Sequence, residues 1–412
     1  MTTLQKLLSP YRGLRREIYI IFISKTINAM GALIFPFMTL LLSTKIGLSG
    51  AETGFYMTLT GLFYAPASLL GGKMADTFGR KRILIIFELL AAASYIICIF
   101  LTPGMTMVYV LMSASFFFGI AGPSHDAMTA DLTTPDQREG AYSLNYLGFN
   151  LGFAFAQVLA GFLFKDHLAV MFIIDAVTAL LGILMIGMFV KETMGGEISH
   201  ENAAEERSEK SIVSVLFSRP VLIYFALASF GYKFVYSQWP FMIPLHAEAS
   251  FPGEGARLFG ILGSFNALIV VICTPIITAM FKDRTNIRRI FYAGILFTIG
   301  FGMLGFISIK SAFFISVFIF TIGEILEAIS TMPYIMNHTP ASHRGRMSSI
   351  IPMIIGAGYS AGPIIMGSIL DKRGFQFSWI AAASVVLLST IAMKLIDLAG
   401  DRQTGIIKST VE

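Results

Sequence analysis

Charge is scarce in this chain. Asp, Glu, Lys and Arg make up only 13% of its 412 residues, about half of what a soluble domain carries. A water-facing surface cannot be built from so few charges, so most of the chain must be bedded in lipid. The 55% hydrophobic content and a mean hydropathy of +0.73 say the same. Cysteine is nearly absent. Cys98 and Cys273 each lie inside an apolar run, and no disulfide framework follows from them. Phosphate-binding loops, zinc-ligand spacings and nucleophile motifs are also missing, so an enzyme, a cofactor and a metal all lack support. The balance is basic, with 30 Lys and Arg against 25 Asp and Glu. Those cations punctuate the apolar runs and form no single patch, which argues against a nucleic-acid surface.

What the chain does have is long apolar runs. Twelve are marked, at 18–43, 51–71, 83–101, 106–130, 141–163, 168–190, 220–245, 257–281, 288–308, 312–336, 346–370 and 376–397. About 20 apolar residues span a bilayer as a helix, and each run is long enough. The first follows Lys6, Arg12, Arg15 and Arg16, as a signal peptide would, but it is too long and has no small-residue cleavage site. It reads as a retained helix. An even number of spans puts both termini on one side. With the N-terminus inside, the inner segments hold most of the Lys and Arg, and the outer loops hold only Lys45, Lys165, Arg257, Lys310, Lys372 and Arg373. That asymmetry predicts both termini in the cytoplasm. The polar segment 191–219, rich in Glu, predicts a cytoplasmic linker between an N-terminal bundle, 1–190, and a C-terminal bundle, 220–412.

The two halves repeat at a spacing near 204 residues. Phe35-Pro36-Phe37-Met38 recurs as Trp239-Pro240-Phe241-Met242. Gly119 matches Gly323, Arg138 matches Arg344, and Gly152 and Gly161 match Gly358 and Gly367. Parallel six-helix repeats joined by a polar linker occur in transporter folds.

Between the second and third runs lies Gly71-Gly72-Lys73-Met74-Ala75-Asp76-Thr77-Phe78-Gly79-Arg80-Lys81-Arg82, a short basic stretch that reads as a tight hairpin at the inner face. Its G-x-x-x-D-x-x-G-R-K-R pattern resembles the loop signature of the major facilitator superfamily of transporters. Asp131-x-x-x-Pro135-x-x-Arg138 resembles that family's segment between helices 4 and 5. The likeness covers essentially the whole chain and implies an all-α membrane protein of twelve helices in two pseudo-symmetric bundles. Some positions depart from the pattern. Thr77 stands where a cation usually follows the acid. Ser115 and Ala156-Gln157 stand where drug–proton antiporters carry an arginine and a Gly-Pro pair.

The resemblance implies a gating clasp built from Gly72, Asp76, Gly79, Arg80, Lys81, Asp131 and Arg138. In it, Asp76 faces the start of helix 11 and Arg80 pairs with Asp131. It also places helices 1, 4, 7 and 10 along the transport path. Ionisable groups inside spans are costly and normally face a cavity or a partner. On the path helices these groups are Lys25, His125, Asp126, Lys233, Glu324 and Glu327; Glu88 and Asp175, on helices 3 and 6, read as packing or capping groups, and His125 as a packing residue. At about 1.5 Å per residue, Lys233 and Glu324 lie roughly 20 and 18 Å from the inner ends of their helices, near the midplane. Glu324 and Glu327, at i and i+3, share a face, and two adjacent carboxylates compete for ionisation. Glu324, Glu327 and Asp126 are therefore the expected proton-coupling groups. Lys25, Asn28, Lys233, Tyr232, Tyr236, Gln238 and Trp239 are the expected substrate contacts, since aromatics with polar tips suit an amphipathic compound. The expectation is a monomeric, proton-coupled exporter of a lipophilic or amphipathic small molecule in the bacterial inner membrane. Its partners are substrate, protons and the lipid bilayer. The alternatives are a symporter of a polar nutrient such as a sugar or peptide, a lipid flippase, and a non-transporting receptor.

Overall fold

The computed structural model describes residues 11–194, 219–339 and 344–411, so most of the expected linker lies outside the described residues. The elements are α1 (Arg16–Lys45, interrupted), α2 (Gly50–Phe78), α3 (Arg80–Ile99), α4 (Met105–Asp131), α5 (Pro135–Leu163), α6 (Leu168–Phe189), α7 (Pro220–Tyr236, resuming as Gln238–Ser250), α8 (Gly255–Met280), α9 (Asn286–Gly302) and α10 (Lys310–Asn337). The last rod, Arg344–Val411, breaks at Gly374 into α11 and α12, because Gly374 sits at φ +74°, where a side chain is strained. No strand occurs among the described residues. By length and composition, nine helical stretches among them are able to cross a membrane, one of these covering both α11 and α12. The twelve expected runs all fall on these elements. α2 is less apolar because Gly, Ser, Thr and Tyr interrupt its Leu and Phe residues, and α7 is divided by its break into pieces of 17 and 13 residues.

The tight hairpin expected over 71–82 is confined to one residue. α2 continues to Phe78 and α3 begins at Arg80, so Gly79 alone makes the turn, at φ +101°. Gly71, Gly72, Lys73 and Asp76 therefore lie on the last turns of α2. Gly71 is the close-approach residue: a Cβ there would fall 2.1 Å from the Ile120 carbonyl oxygen of α4, while one on Gly72 would meet only the Pro123 side chain, at 4.0 Å.

The chain packs as two units. The first comprises Met1–Leu48, Leu59–Glu205 and Phe251–Ala267, and the second Ser49–Thr58, Glu206–Ser250 and Leu268–Glu412. Within the first, α1 packs on α5 and α6, and α3 on α4 and α6; within the second, α7 packs on the α11–α12 rod, and α9 on α10 and α12. The pairings thus recur six helices on. The repeated glycines explain part of this. A Cβ on Gly152 would meet Thr26 O of α1 at 2.4 Å, and one on Gly358 would meet Phe230 O of α7 at 2.2 Å. Small residues let each helix pair close at this point. Gly119 and Gly323 do not repeat a role. The first approaches α2 and the second α9.

The Phe-Pro-Phe-Met and Trp-Pro-Phe-Met repeats mark the breaks. Pro36 lies in a short 3-10 turn within α1, and Pro240 follows the interruption of α7 at Ser237. Proline has no N–H to give a continuing helix but fits the first turn of a new one. The α1 break is satisfied from outside the helix. Leu33 N and Ile34 N donate to the Asp175 carboxylate of α6 at 3.1 and 3.2 Å.

Candidate functional site

In the first unit a cavity of about 810 Å³ opens beside α1 and α4. Lys25 and Asn28, one turn apart, both line it, together with Asp126, and Lys25 Nζ donates to Asp126 Oδ1 at 3.2 Å. The structure adds groups that the sequence placed in packing roles. Glu88 of α3 is 3% exposed and lies 2.8 Å from His125 Nε2, and both line the same cavity. Glu88 Oε1 pairs with His125 Nε2, while His125 Nδ1 is buried without a hydrogen-bond partner, so the pair adds a second ionisable couple to the wall. Tyr64, Tyr95, Tyr142 and Tyr146 complete a surface of aromatic faces with polar tips. Nothing in the sequence alone pairs residue 88 with residue 125; the signal available was only that each is ionisable within a span.

The second unit holds a matching couple. Lys233 Nζ of α7 donates to Glu327 Oε2 of α10 at 2.6 Å, and the Glu327 side chain is 4% exposed. Each unit thus carries one lysine–carboxylate pair between its first and fourth helices. Glu324, one turn away, serves a different partner: its carboxylate meets the Tyr236 hydroxyl. Lys233, Tyr236 and Trp239 share one partly exposed face at i, i+3 and i+6. Lys233 Nζ lies 5.4 Å from the Tyr236 ring centroid, and Trp239 packs on Phe320. Two expected substrate contacts need correction. Tyr232 is fully buried and points the other way, donating to Ile290 O at 3.1 Å and lying 3.3 Å from Thr390 Oγ1. Gln238 is also fully buried. Its Nε2 donates to Phe234 O at 3.0 Å, a carbonyl beside the α7 break that also accepts from Ser237 Oγ at 2.7 Å. Both are buried and hydrogen-bonded inside the bundle.

At the linker end of the first unit the expected clasp residues converge. Arg80 Nε lies 2.5 Å from Asp131 Oδ2, and its Nη1 lies 3.2 Å from Asp76 Oδ1. Lys81 Nζ donates to Gly187 O at 2.7 Å, closing the C-terminal end of α6. Arg138 stands apart from this cluster, its Nε buried without a hydrogen-bond partner. The resemblance sets the start of helix 11 opposite Asp76, and α11 begins at Arg344, in the second unit.

Glu192 joins the same cluster, and sequence reasoning missed it. Its Oε1 accepts from Arg80 N at 2.9 Å and Lys81 N at 3.3 Å, and also from Thr193 N and Met194 N. A carboxylate is thus set on the N-terminus of α3, where the helix dipole favours an anion. A Cβ on Gly79 would fall 2.5 Å from Glu192 Oε2, a second reason for glycine there. Thr193 Oγ1 then donates to Asp131 Oδ2 at 3.0 Å, tying the start of the linker to the ion pair. Burial alone would raise the Glu192 pKa, but the four backbone N–H donors outweigh it and hold the carboxyl below its usual value. A depressed folded-state pKa adds stability above the unfolded-state value near 4.3 and loses it as pH falls through the folded-state value. Glu192→Gln should therefore lower thermal stability at pH 7 by about 1 kcal/mol and flatten the loss seen on acidification below about pH 4.3. Melting curves of both proteins across pH 3 to 8 check this.

Broken membrane helices, ion pairs inside the spans and an aromatic cavity with charged groups on its wall fit a multi-pass membrane transporter. The profile of the Major Facilitator Superfamily matches residues 21–351, and the chain belongs to that family. It is similar to the Na(+), Li(+), K(+)/H(+) antiporter of Planococcus maritimus, 22% identical over 84% of this chain and 91% of that protein. It is also similar to the multidrug resistance protein MdtG of Dickeya zeae (strain Ech586), 22% identical over 91% of this chain and 93% of the other. In fold it matches a peptide transporter POT solved in complex with sulfate, at a TM-score of 0.76 and 17% identity, covering 94% of this chain and 96% of that one.

Proposed function

We propose that the protein exports a lipophilic or amphipathic small molecule in exchange for protons, by alternating access. The observation that carries this reading is the pair of lysine–carboxylate couples, Lys25–Asp126 and Lys233–Glu327, one in each unit and both inside spanning helices. Ionised groups persist there only when paired. A proton on the carboxylate releases the lysine, so protonation and conformation become linked. Glu324, beside Tyr236, is the second acid of that relay. The aromatic lining of the first-unit cavity favours amphipathic compounds over sugars, and the multidrug resistance relative supports export. A second reading, exchange of a monovalent metal cation for protons, is supported by the antiporter relative and by the carboxylates Glu88, Asp126 and Asp175 on the cavity wall. Proteoliposomes with an imposed pH gradient separate the two. Uptake of lipophilic cations with proton counterflow supports the first, and sodium or potassium flux alone would replace it with the second.

In this reading the protein is a monomer in the bacterial cytoplasmic membrane with both termini inside. The Lys and Arg distribution supports that orientation. Protease added to intact cells should leave segment 191–219 uncut, and protease added to inverted vesicles should cleave it into two bundle-sized fragments. Cleavage from outside would reverse the topology.

A further inference from the structure

Two buried ionisable residues of the first unit take no part in the lysine–carboxylate couples. Glu88 of α3 is 3% exposed, and its Oε1 lies 2.8 Å from His125 Nε2 of α4. In a neutral imidazole one nitrogen carries the proton, and the hydrogen bond decides which. A carboxylate oxygen facing Nε2 sets the proton there and leaves Nδ1 bare. His125 Nδ1 is buried without a hydrogen-bond partner. In this tautomer the couple carries one negative charge. One added proton, seated on Nδ1, brings it to zero.

Both residues line the first-unit cavity. Buried charges are poorly screened, so a unit of charge on this wall is felt by whatever the cavity binds. The other titratable groups that face the cavity are engaged differently. α1 supplies Lys25 and α4 supplies Asp126, which bond to each other at 3.2 Å, with the Asp126 side chain 64% exposed. α6 supplies Asp175, whose two oxygens accept from Leu33 N and Ile34 N at the α1 break. Tyr64 of α2, Tyr95 of α3, and Tyr142 and Tyr146 of α5 are phenols, uncharged at neutral pH. Glu88 and His125 thus combine burial, a place on the cavity wall and an open position for a proton.

We propose that the Glu88–His125 couple is a proton-carrying site of the first unit, and that a cationic substrate in the cavity and this proton displace each other. The inference rests on the proton-exchange reading and adds to it a site that holds no lysine. The proton binds Nδ1, the couple becomes neutral, and the cavity holds a cation less strongly. A cation that enters instead favours the negative couple, and the proton leaves from Nδ1 to water. No bond other than N–H forms or breaks. The effect is reciprocal by linkage and needs no contact between cation and imidazole.

The test is equilibrium dialysis of tetraphenylphosphonium against the full chain in detergent, from about pH 5 to about pH 9, a range that brackets the ordinary histidine value. Wild-type affinity should fall on acidification, by up to about tenfold per pH unit, the limit when one proton and one probe exclude each other. Glu88→Gln combined with His125→Gln replaces the couple by two neutral amides that can still bond to each other. The double variant should bind with one affinity across the range, equal to the acid end of the wild-type curve. Each single variant keeps one titratable group, so its curve should keep a slope with a displaced midpoint, whereas a packing role would lower affinity alike at every pH. A double variant that keeps the wild-type slope, or single variants with an unmoved midpoint, would overturn the proposal and leave proton exchange standing. A wild type that binds no probe, or binds it without pH dependence, would overturn the proposal together with the exchange of lipophilic cations for protons.

Discussion

Glu327→Gln is expected to abolish proton-driven accumulation of substrate, by at least about tenfold, while downhill exchange continues. Tenfold corresponds to about 1.4 kcal/mol, well below the worth of a buried ion pair. Glu327 is almost fully buried and its Oε2 lies 2.6 Å from Lys233 Nζ. Glutamine keeps the shape and one acceptor oxygen but takes up no proton, so the helices still move and the proton no longer drives them. Lys233→Ala is the harsher change. It strands a carboxylate in the bundle, and losing one partner of a buried pair costs about 3–5 kcal/mol. Its melting temperature should fall clearly, and adding Glu327→Gln should recover most of the loss, because no lone charge remains. Glu324→Gln separates the two acids. The Tyr236 hydroxyl beside it is neutral, so the change strands no lysine and the pH profile of transport should shift. Full uphill transport with an unchanged pH profile in all the variants would make this site structural and move attention to Lys25, Asp126 and the Glu88–His125 couple.

The second large effect is expected at the clasp. Arg80 and Asp131 are 17% and 10% exposed in their side chains, so their pairing is poorly screened by water. Arg80→Ala leaves Asp131 with the Thr193 hydroxyl alone, a loss of about 3 kcal/mol. None of these residues lines the first-unit cavity. Transport should therefore fall about tenfold while substrate affinity stays within about twofold, a change in conformational balance and not in binding. Asp76, two-thirds exposed, is screened more strongly, and Asp76→Asn should give the milder version of the same phenotype. Equilibrium binding and initial transport rates on the same preparations decide it. A parallel loss of affinity would place Arg80 in substrate recognition, and unchanged transport in both variants would remove the gating role.

Much of this was legible in the sequence because it depends on local or periodic properties. Hydrophobic runs locate spanning helices, since a bilayer tolerates only apolar helices of that length. The recurrence of Phe-Pro-Phe-Met as Trp-Pro-Phe-Met showed the two halves as copies, whereas the breaks of α1 and α7 beside its prolines appeared only in the structure. The ionisable residues within spans stood out because any charge there is costly. The sequence alone could not say which charges meet. Lys25 with Asp126 and Lys233 with Glu327 were grouped by helix, but Glu327 and not Glu324 takes the lysine, a choice made by one turn of α10. Glu88 with His125, Glu192 on the start of α3, and Asp175 on the break of α1 join residues 37, 112 and 142 apart along the chain. Tyr232 and Gln238 shared the aromatic, polar character of their neighbours, yet rotation along the helix turned them into the bundle. Composition and period fix which residues lie in the membrane and on which helix. Partners depend on helix rotation, and that is set by close backbone contacts such as Gly71 on Ile120 and Gly358 on Phe230, which exist only once the helices have packed.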